Sequence, residues 1–276
     1  MKNSTIAGEK LVEVLFAFPL SRYGEPAIIG IAIFSAIFLW QYAVWINHVY
    51  DVDIDKITNR ERILPMRMIS PGTIKKMAII FAFISLGLAF VIGWAIIPAI
   101  IALILATIYS VPPFRLRKTI LSSVFIGAGS SLAFLFGYLN PYLYMEGMKN
   151  VDWMFNPYHA PITNEAILIA ILIFIALSIG SVTRSLKDYE GDKKAGVRNI
   201  FTVYGKEKGM KIASFLIIIS FISPIMLFYR IVDIVIFVAG GLIASHLFNK
   251  TKRIETVFGL YFPVLIYCIL RWIEVF

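Results

Sequence analysis

Apolar residues run in long blocks separated by short charged stretches. Eight blocks of 17 to 22 residues lie near 26–47, 77–94, 95–111, 120–139, 166–183, 212–229, 231–248 and 256–275. Runs of this length suit helices crossing a hydrocarbon core of about 30 Å, where only helices and closed barrels satisfy every backbone polar group. A ninth candidate near 5–20 mixes Glu9, Lys10 and Glu13 with Leu11, Val12, Leu15 and Phe16. It reads as an interfacial amphipathic helix or a short first span, and it lacks the basic start and small-residue cleavage site of a removable signal peptide. The pattern predicts an all-α, multi-span membrane bundle of eight to nine transmembrane helices with two pseudo-repeated halves. Residues 1–276 are expected to form a single transmembrane domain.

Composition sharpens this reading. Of 276 residues, 59% are hydrophobic and 16% charged, too apolar and too sparsely charged for an ordinary water-soluble domain. The single cysteine, Cys268, lies in an apolar run and excludes a disulfide scaffold or a cysteine-based zinc site. The net charge of +9 is unevenly placed: 20 of the 26 Lys and Arg residues fall in 48–76, 112–119, 184–211 and 249–255. These are alternate loops, so the positive-inside rule puts all four on the cytoplasmic side of the cell membrane. The segment 140–165, rich in Tyr, Pro and Trp, is then expected along the outer interface. The basic residues are interleaved with acids at a membrane edge, which argues against a nucleic-acid partner.

The acids carry the chemical signal. Seven of the 17 lie in two short windows, DVDIDK at 51–56 with Glu61, and DYEGDK at 188–193. Both hexapeptides have the form D-x-acidic-x-D-K, an internal repeat at the inner ends of two separate spans. Asn47, Asp51 and Asp55 are spaced by four and share one face of a continuous helix, drifting about 40° per step. Asp188 and Asp192 have the same spacing, although Gly191 weakens the case for helix there. Asp53 is offset by two and points away, so a solvated or salt-bridged role is expected for it; Glu190 is similarly ambiguous. Crowded carboxylates at a low-dielectric boundary repel one another and persist more readily when cations neutralise them. Hard Mg²⁺ suits such oxygen ligands and commonly shares them with substrate phosphates. Lys56, Arg60, Arg62, Arg115, Arg117, Lys187, Lys193 and Lys194 supply cations nearby, a mixture that points to metal and polyphosphate together.

These residues resemble a known pattern. Asn47-x-x-x-Asp51-x-x-x-Asp55, followed by Arg62 and Pro65, is similar to the first signature of the UbiA superfamily of intramembrane prenyltransferases. KDYEGDKKAG at 187–196 resembles its second aspartate motif, and YSVPPFRLR at 109–117 its intervening Tyr-Ser-x-Pro-Pro loop. The resemblance covers roughly residues 26–210 in order and spacing. It implies nine transmembrane helices and Mg²⁺ held by Asn47, Asp51, Asp55, Asp188 and Asp192, with Arg62, Arg115 and Lys187 on the donor diphosphate. Tyr109 and Ser110 would lie near the reacting carbon or the acceptor. The implied reaction moves a prenyl group from an isoprenyl diphosphate to a small-molecule or lipid acceptor through an allylic carbocation. An aromatic quinone precursor is the first expectation for the acceptor, and a glycerol phosphate ether of archaeal-type lipid synthesis the alternative. The sequence departs from the family pattern at Ile63, Met66, Arg67, Arg184, Ser185 and Asn199–Thr202, positions that bear on the acceptor more than on the metal chemistry.

Weaker features complete the reading. His48 lies about 100° from Asn47 on a helix and fits an interfacial polar residue. Trp40, Trp45, Phe134 and Phe136 are expected in packing or lipid contact. An ion-coupled transporter is the competing class, but transporters usually place such acids near the midplane, whereas here they cluster at inner ends.

Overall fold

Long apolar blocks joined by polar turns leave helix as the backbone's main option. The structure, a computed structural model, describes residues 18–58, 66, 68–147 and 162–275. Its α-helices, among the described residues, are α1 (Phe18–Thr58), α2 (Pro71–Val91), α3 (Ile96–Ser110), α4 (Ser122–Gly147), α5 (Asn164–Arg184), α6 (Tyr189–Lys194), α7 (Ile200–Ile222), α8 (Ile231–Thr251) and α9 (Ile254–Val275). Seven are long and apolar enough to cross a membrane. All eight expected blocks are helical. The block at 95–111 forms only the 15-residue α3, about 22 Å at 1.5 Å per residue and so shorter than the hydrocarbon core. The ninth candidate, near 5–20, lies outside the described residues except where α1 begins at Phe18.

Two helices differ in extent from the sequence expectation. Helix α1 is 41 residues long and runs through the first acidic cluster instead of ending near residue 47. Helix α7 begins at Ile200 rather than near 212, because Asn199 caps it: its side chain accepts from the backbone N–H groups of Phe201 and Thr202, both at 2.9 Å. Gly205, at φ 79°, interrupts α7 in the left-handed region that favours glycine.

The described residues divide into two compact units, one within 1–49, 69–107 and 132–166, the other within 50–68, 108–131 and 167–276. In the first, Ala32, Ala89, Ile92, Ala95, Ala99 and Phe136 form the core. Its alanines let helix backbones approach closely, the packing mode available where lipid removes the hydrophobic drive between helices. Ser35 and Ser85 exchange side-chain-to-backbone bonds of 2.9 Å between α1 and α2, and Tyr42 meets Thr107 of α3 at 2.6 Å. Trp45 packs on Phe81, as does Phe38, whereas Trp40 is largely exposed.

The second unit is centred on Ile179, Val182, Phe201, Ala213, Ile217, Phe221, Ala244, Phe248 and Val257. Helices α7, α8 and α9 pack in succession there. A buried ionic knot ties α8 to α9: Arg271 Nε donates to Asp233 Oδ1 at 2.9 Å, Tyr267 donates to the same carboxylate, and Asp233 also accepts from the Arg230 backbone N–H. Ionised side chains within apolar helices persist only when paired in this way.

Candidate active site

The first acidic cluster lies on unbroken helix, so spacing decides exposure. Asp51 and Asp55 are each 1% exposed, while Asp53 points outward and bonds Lys56 at 3.3 Å. Asn47 is half-buried one turn before Asp51. The helical-face reading of this motif, with Asp53 excluded, agrees with the structure.

The loop after α3 brings the counter-charges. Pro112 and Pro113 stop α3, and the chain turns through Arg115, whose φ of 41° and ψ of 54° lie in the left-handed region. That backbone costs a residue with a Cβ about 1–2 kcal/mol. The Arg115 guanidinium offsets this by donating to the Tyr50 carbonyl and approaching Asp51 Oδ1 at 3.5 Å. Arg117 forms the closer ion pair, with Asp51 Oδ2. Burial works against the Arg117 cation, but Asp51 foremost, with Tyr109 and Asp55, outweighs it and holds the guanidinium above its ordinary value. Tyr109 thus lies beside Arg117. Ser110 is 1% exposed, its hydroxyl without a hydrogen-bond partner among the described residues.

The second cluster forms a short helix despite Gly191. Asp188 caps α6, and its carbonyl accepts from the Asp192 N–H at 2.8 Å. Gly196, at φ 70°, reverses the chain after α6, and the Val197 N–H returns to the Asp192 carbonyl at 2.9 Å. Asn199 then holds the carboxylate, donating from Nδ2 to Asp192 Oδ2 at 2.8 Å. The Arg198 N–H bonds the Lys118 carbonyl at 2.9 Å and so ties this segment to the arginine loop.

The motifs meet electrostatically. The Asp192 carboxyl is pushed up to about 6, first by burial, then by the charge of Asp188, with a smaller push from Asp51; Arg117 and the Asn199 bond oppose the rise. Asp51, Asp55, Asp188, Asp192, Arg115, Arg117 and Tyr109 therefore share one electrostatic neighbourhood within the second unit. Asp188 is exposed and Asp192 half-buried. Among the described residues no three His, Cys, Asp or Glu side chains converge into a ready-made metal cage. Glu190 is turned outward and bonds Lys206 at 2.8 Å. Arg62 lies outside the described residues, and Lys187 is exposed beside Lys206, Lys252 and Arg253.

Residues 11–256 match the description of the UbiA prenyltransferase family. The chain belongs to the UbiA prenyltransferase family. It is 24% identical to a digeranylgeranylglyceryl phosphate synthase of Methanobrevibacter smithii, over 88% of this chain and 85% of that enzyme. To a probable homogentisate phytyltransferase 2 of Oryza sativa it is 27% identical, over 67% of this chain but 47% of the plant enzyme. Its fold is similar to that of a UbiA homolog from Archaeoglobus fulgidus bound to GPP and Mg²⁺, with a TM-score of 0.65, 21% identity and coverage of 92% of this chain and 90% of that one. Seven helices long and apolar enough to cross a membrane, among the described residues, and UbiA membership make the protein an integral membrane protein.

Two residues of this candidate site carried little weight in the sequence. Arg117, rather than Arg115, makes the close contact with Asp51. Asn199 reads as a departure from the family pattern, yet it both caps α7 and holds Asp192; an Asn three residues before Thr202, ahead of an apolar run, is the capping signal that marks it.

Proposed function

We propose that this protein transfers a prenyl group from an isoprenyl diphosphate to a lipid acceptor, with Mg²⁺ required, and that the chain acts as one transmembrane prenyltransferase domain. The observation that carries the reading is the convergence of two acidic motifs and two arginines, with Asp192 pushed up to about 6 by burial and its acidic neighbours. Negative charge so crowded and dehydrated fits a cation, and the all-oxygen donor set fits Mg²⁺. The lack of a protein-only cage suits an ion that keeps waters and shares its shell with phosphate. Asp51, Asp55, Asp188 and Asp192 would hold it, with Asn47 as the helical neighbour one turn earlier. When bound, Mg²⁺ supplies neutralisation of diphosphate charge.

The chain's own residues do the rest. Arg115 and Arg117 face the carboxylates and are placed to receive the diphosphate oxygens as charge builds on them at the breaking allylic C–O bond. Tyr109, next to Arg117, borders the same place with its ring and hydroxyl. Apolar helix around the site keeps water from the cation that leaves the donor. Arg62 retains a diphosphate role from its motif position; Lys187 stands apart, in the basic cavity described below.

For the acceptor, the glycerol phosphate ether is the stronger reading, supported by the near full-length alignment to the synthase of M. smithii. An aromatic acceptor is the second reading, supported by alignments to the rice enzyme and to 2-acylphloroglucinol 4-prenyltransferase of Humulus lupulus, 26% identical over 51% of the latter. Membership of a prenyltransferase family leaves the transport reading without support. We place the protein in the cell membrane with the acidic site toward the cytoplasm, from the basic residues of the loops that carry it. The test is to incubate purified protein, Mg²⁺ and geranylgeranyl diphosphate with geranylgeranylglyceryl phosphate or with homogentisate and identify products by mass. Transfer to the glycerol phosphate ether is expected; no product with either acceptor, alongside Mg²⁺-dependent solute uptake in vesicles, contradicts the reading.

A further inference from the structure

A polar cavity lies at helix ends outside the acidic site. It measures about 570 Å³ and is lined by Thr183 in the last turn of α5, Lys187 just after it, Lys206 near the start of α7, and Lys252, Arg253 and Glu255 at the α8–α9 junction, with Leu186 and Ile254. Four cations face one acid. None of Asp51, Asp55, Asp188, Asp192, Arg115 or Arg117 lines it. Lys206 is partly engaged, bonding Glu190 at 2.8 Å and lying 4.6 Å from the Tyr189 ring centroid. Lys187, Lys252 and Arg253 are exposed and make no ion pair among the described residues. The junction itself shapes the cavity: Lys252 closes α8 in the left-handed conformation at φ 55°, its N–H bonded to the Phe248 carbonyl at 2.8 Å, so that α9 begins two residues later.

Placement identifies the occupant. The lining comes from the ends of four helices long and apolar enough to cross a membrane, α5, α7, α8 and α9; the ends of spanning helices lie at the depth of a bilayer's phosphates. Its walls are mixed, with Leu186 and Ile254 beside the cations, and it is far larger than a free phosphate needs. We propose that this cavity is a binding site for the phosphate headgroup of an anionic membrane phospholipid, separate from the transferase site. Lys187, Lys252 and Arg253 receive the phosphate oxygens, Leu186 and Ile254 meet the first apolar atoms of the lipid, and Glu255 is within reach of headgroup hydroxyls. Basic pockets between helix ends on the cytoplasmic side hold anionic headgroups in this way, each cation contributing about a fivefold gain in affinity.

The test uses full-length protein in a neutral detergent, titrated with phosphatidylglycerol or phosphatidylcholine and read by native mass spectrometry. Saturable binding of one phosphatidylglycerol is expected, and Lys252→Gln with Arg253→Gln weakens it roughly thirtyfold. Lys208→Gln with Lys211→Gln, which removes the same charge from exposed positions outside the cavity, changes it less than about twofold. Should the first double variant fail to fold, Arg253→Gln alone reports, with about a fivefold loss. Prenyl transfer measured in detergent without added phosphatidylglycerol is unchanged in all of these variants, which separates this site from the transferase reading. Equal binding by wild type and the cavity variant, equal loss in the control, binding of phosphatidylcholine as tight as phosphatidylglycerol, or displacement of the lipid by equimolar inorganic phosphate would each overturn the proposal.

Discussion

Asp51 and Asp53 are two residues apart on one helix and have opposite surroundings. The first is buried against Arg115 and Arg117; the second is solvated beside Lys56. Asp51→Ala and Asp188→Ala are each expected to lower turnover at least about 10²-fold, the scale of losing one preorganised electrostatic group, while Asp53→Ala stays within a few-fold. Steady-state kinetics on the three variants decide this, and an Asp53→Ala loss equal to that of Asp51→Ala would reverse the face assignment. Arg117 offers a second contrast. Its guanidinium already sits at the site, so Arg117→Ala should raise the KM for prenyl diphosphate about tenfold or more, and Arg117→Lys should recover only part, because an ammonium lacks the planar fork. An unchanged KM in Arg117→Ala would remove the arginine from diphosphate binding.

At the level of elements, close helix packing depends on small residues at particular points. A Cβ added to Gly127 on α4 would lie 2.0 Å from Ser178 Oγ and 2.5 Å from the Phe174 carbonyl on α5, whereas one at Gly129 meets nothing within 4 Å. Gly127→Ala is expected to destabilise by about 1–3 kcal/mol and Gly129→Ala to be near neutral, measured as detergent-solubilised melting temperatures. Equal Tm values for the two would contradict the α4–α5 contact. The spans themselves were legible in the hydrophobic blocks, because a hydrocarbon solvent enforces them. Their extents were not. Helix α1 continues past Ile46 through charged residues because Arg115 and Arg117, distant in sequence, neutralise Asp51; α7 starts early because Asn199 caps it. Both causes lie outside the window in which hydrophobic periodicity is read.

For the whole molecule, the repeat of D-x-acidic-x-D-K raises the expectation of a shared site, and the structure brings the two copies into one electrostatic neighbourhood. Which arginine would reach Asp51, and that Lys187 would line a separate basic cavity, depended on turns around Arg115 and Lys252 that local pattern does not encode. Topology belongs to this scale. In a Cys268→Ser background, cysteines placed at Lys208 and Lys250 should react with an impermeant maleimide only after the membrane is opened, and one at the exposed Tyr229 should react in intact cells. The reverse labelling would invert the orientation. The central claim is that both acidic motifs act together on a Mg²⁺-bound diphosphate. It is tested most directly by calorimetric binding of a non-reactive geranylgeranyl thiodiphosphate to wild type, Asp51→Asn and Asp188→Asn, with and without Mg²⁺. The account predicts Mg²⁺-dependent binding in wild type, lost in either variant; binding that persists without Mg²⁺, or in both variants, would contradict it.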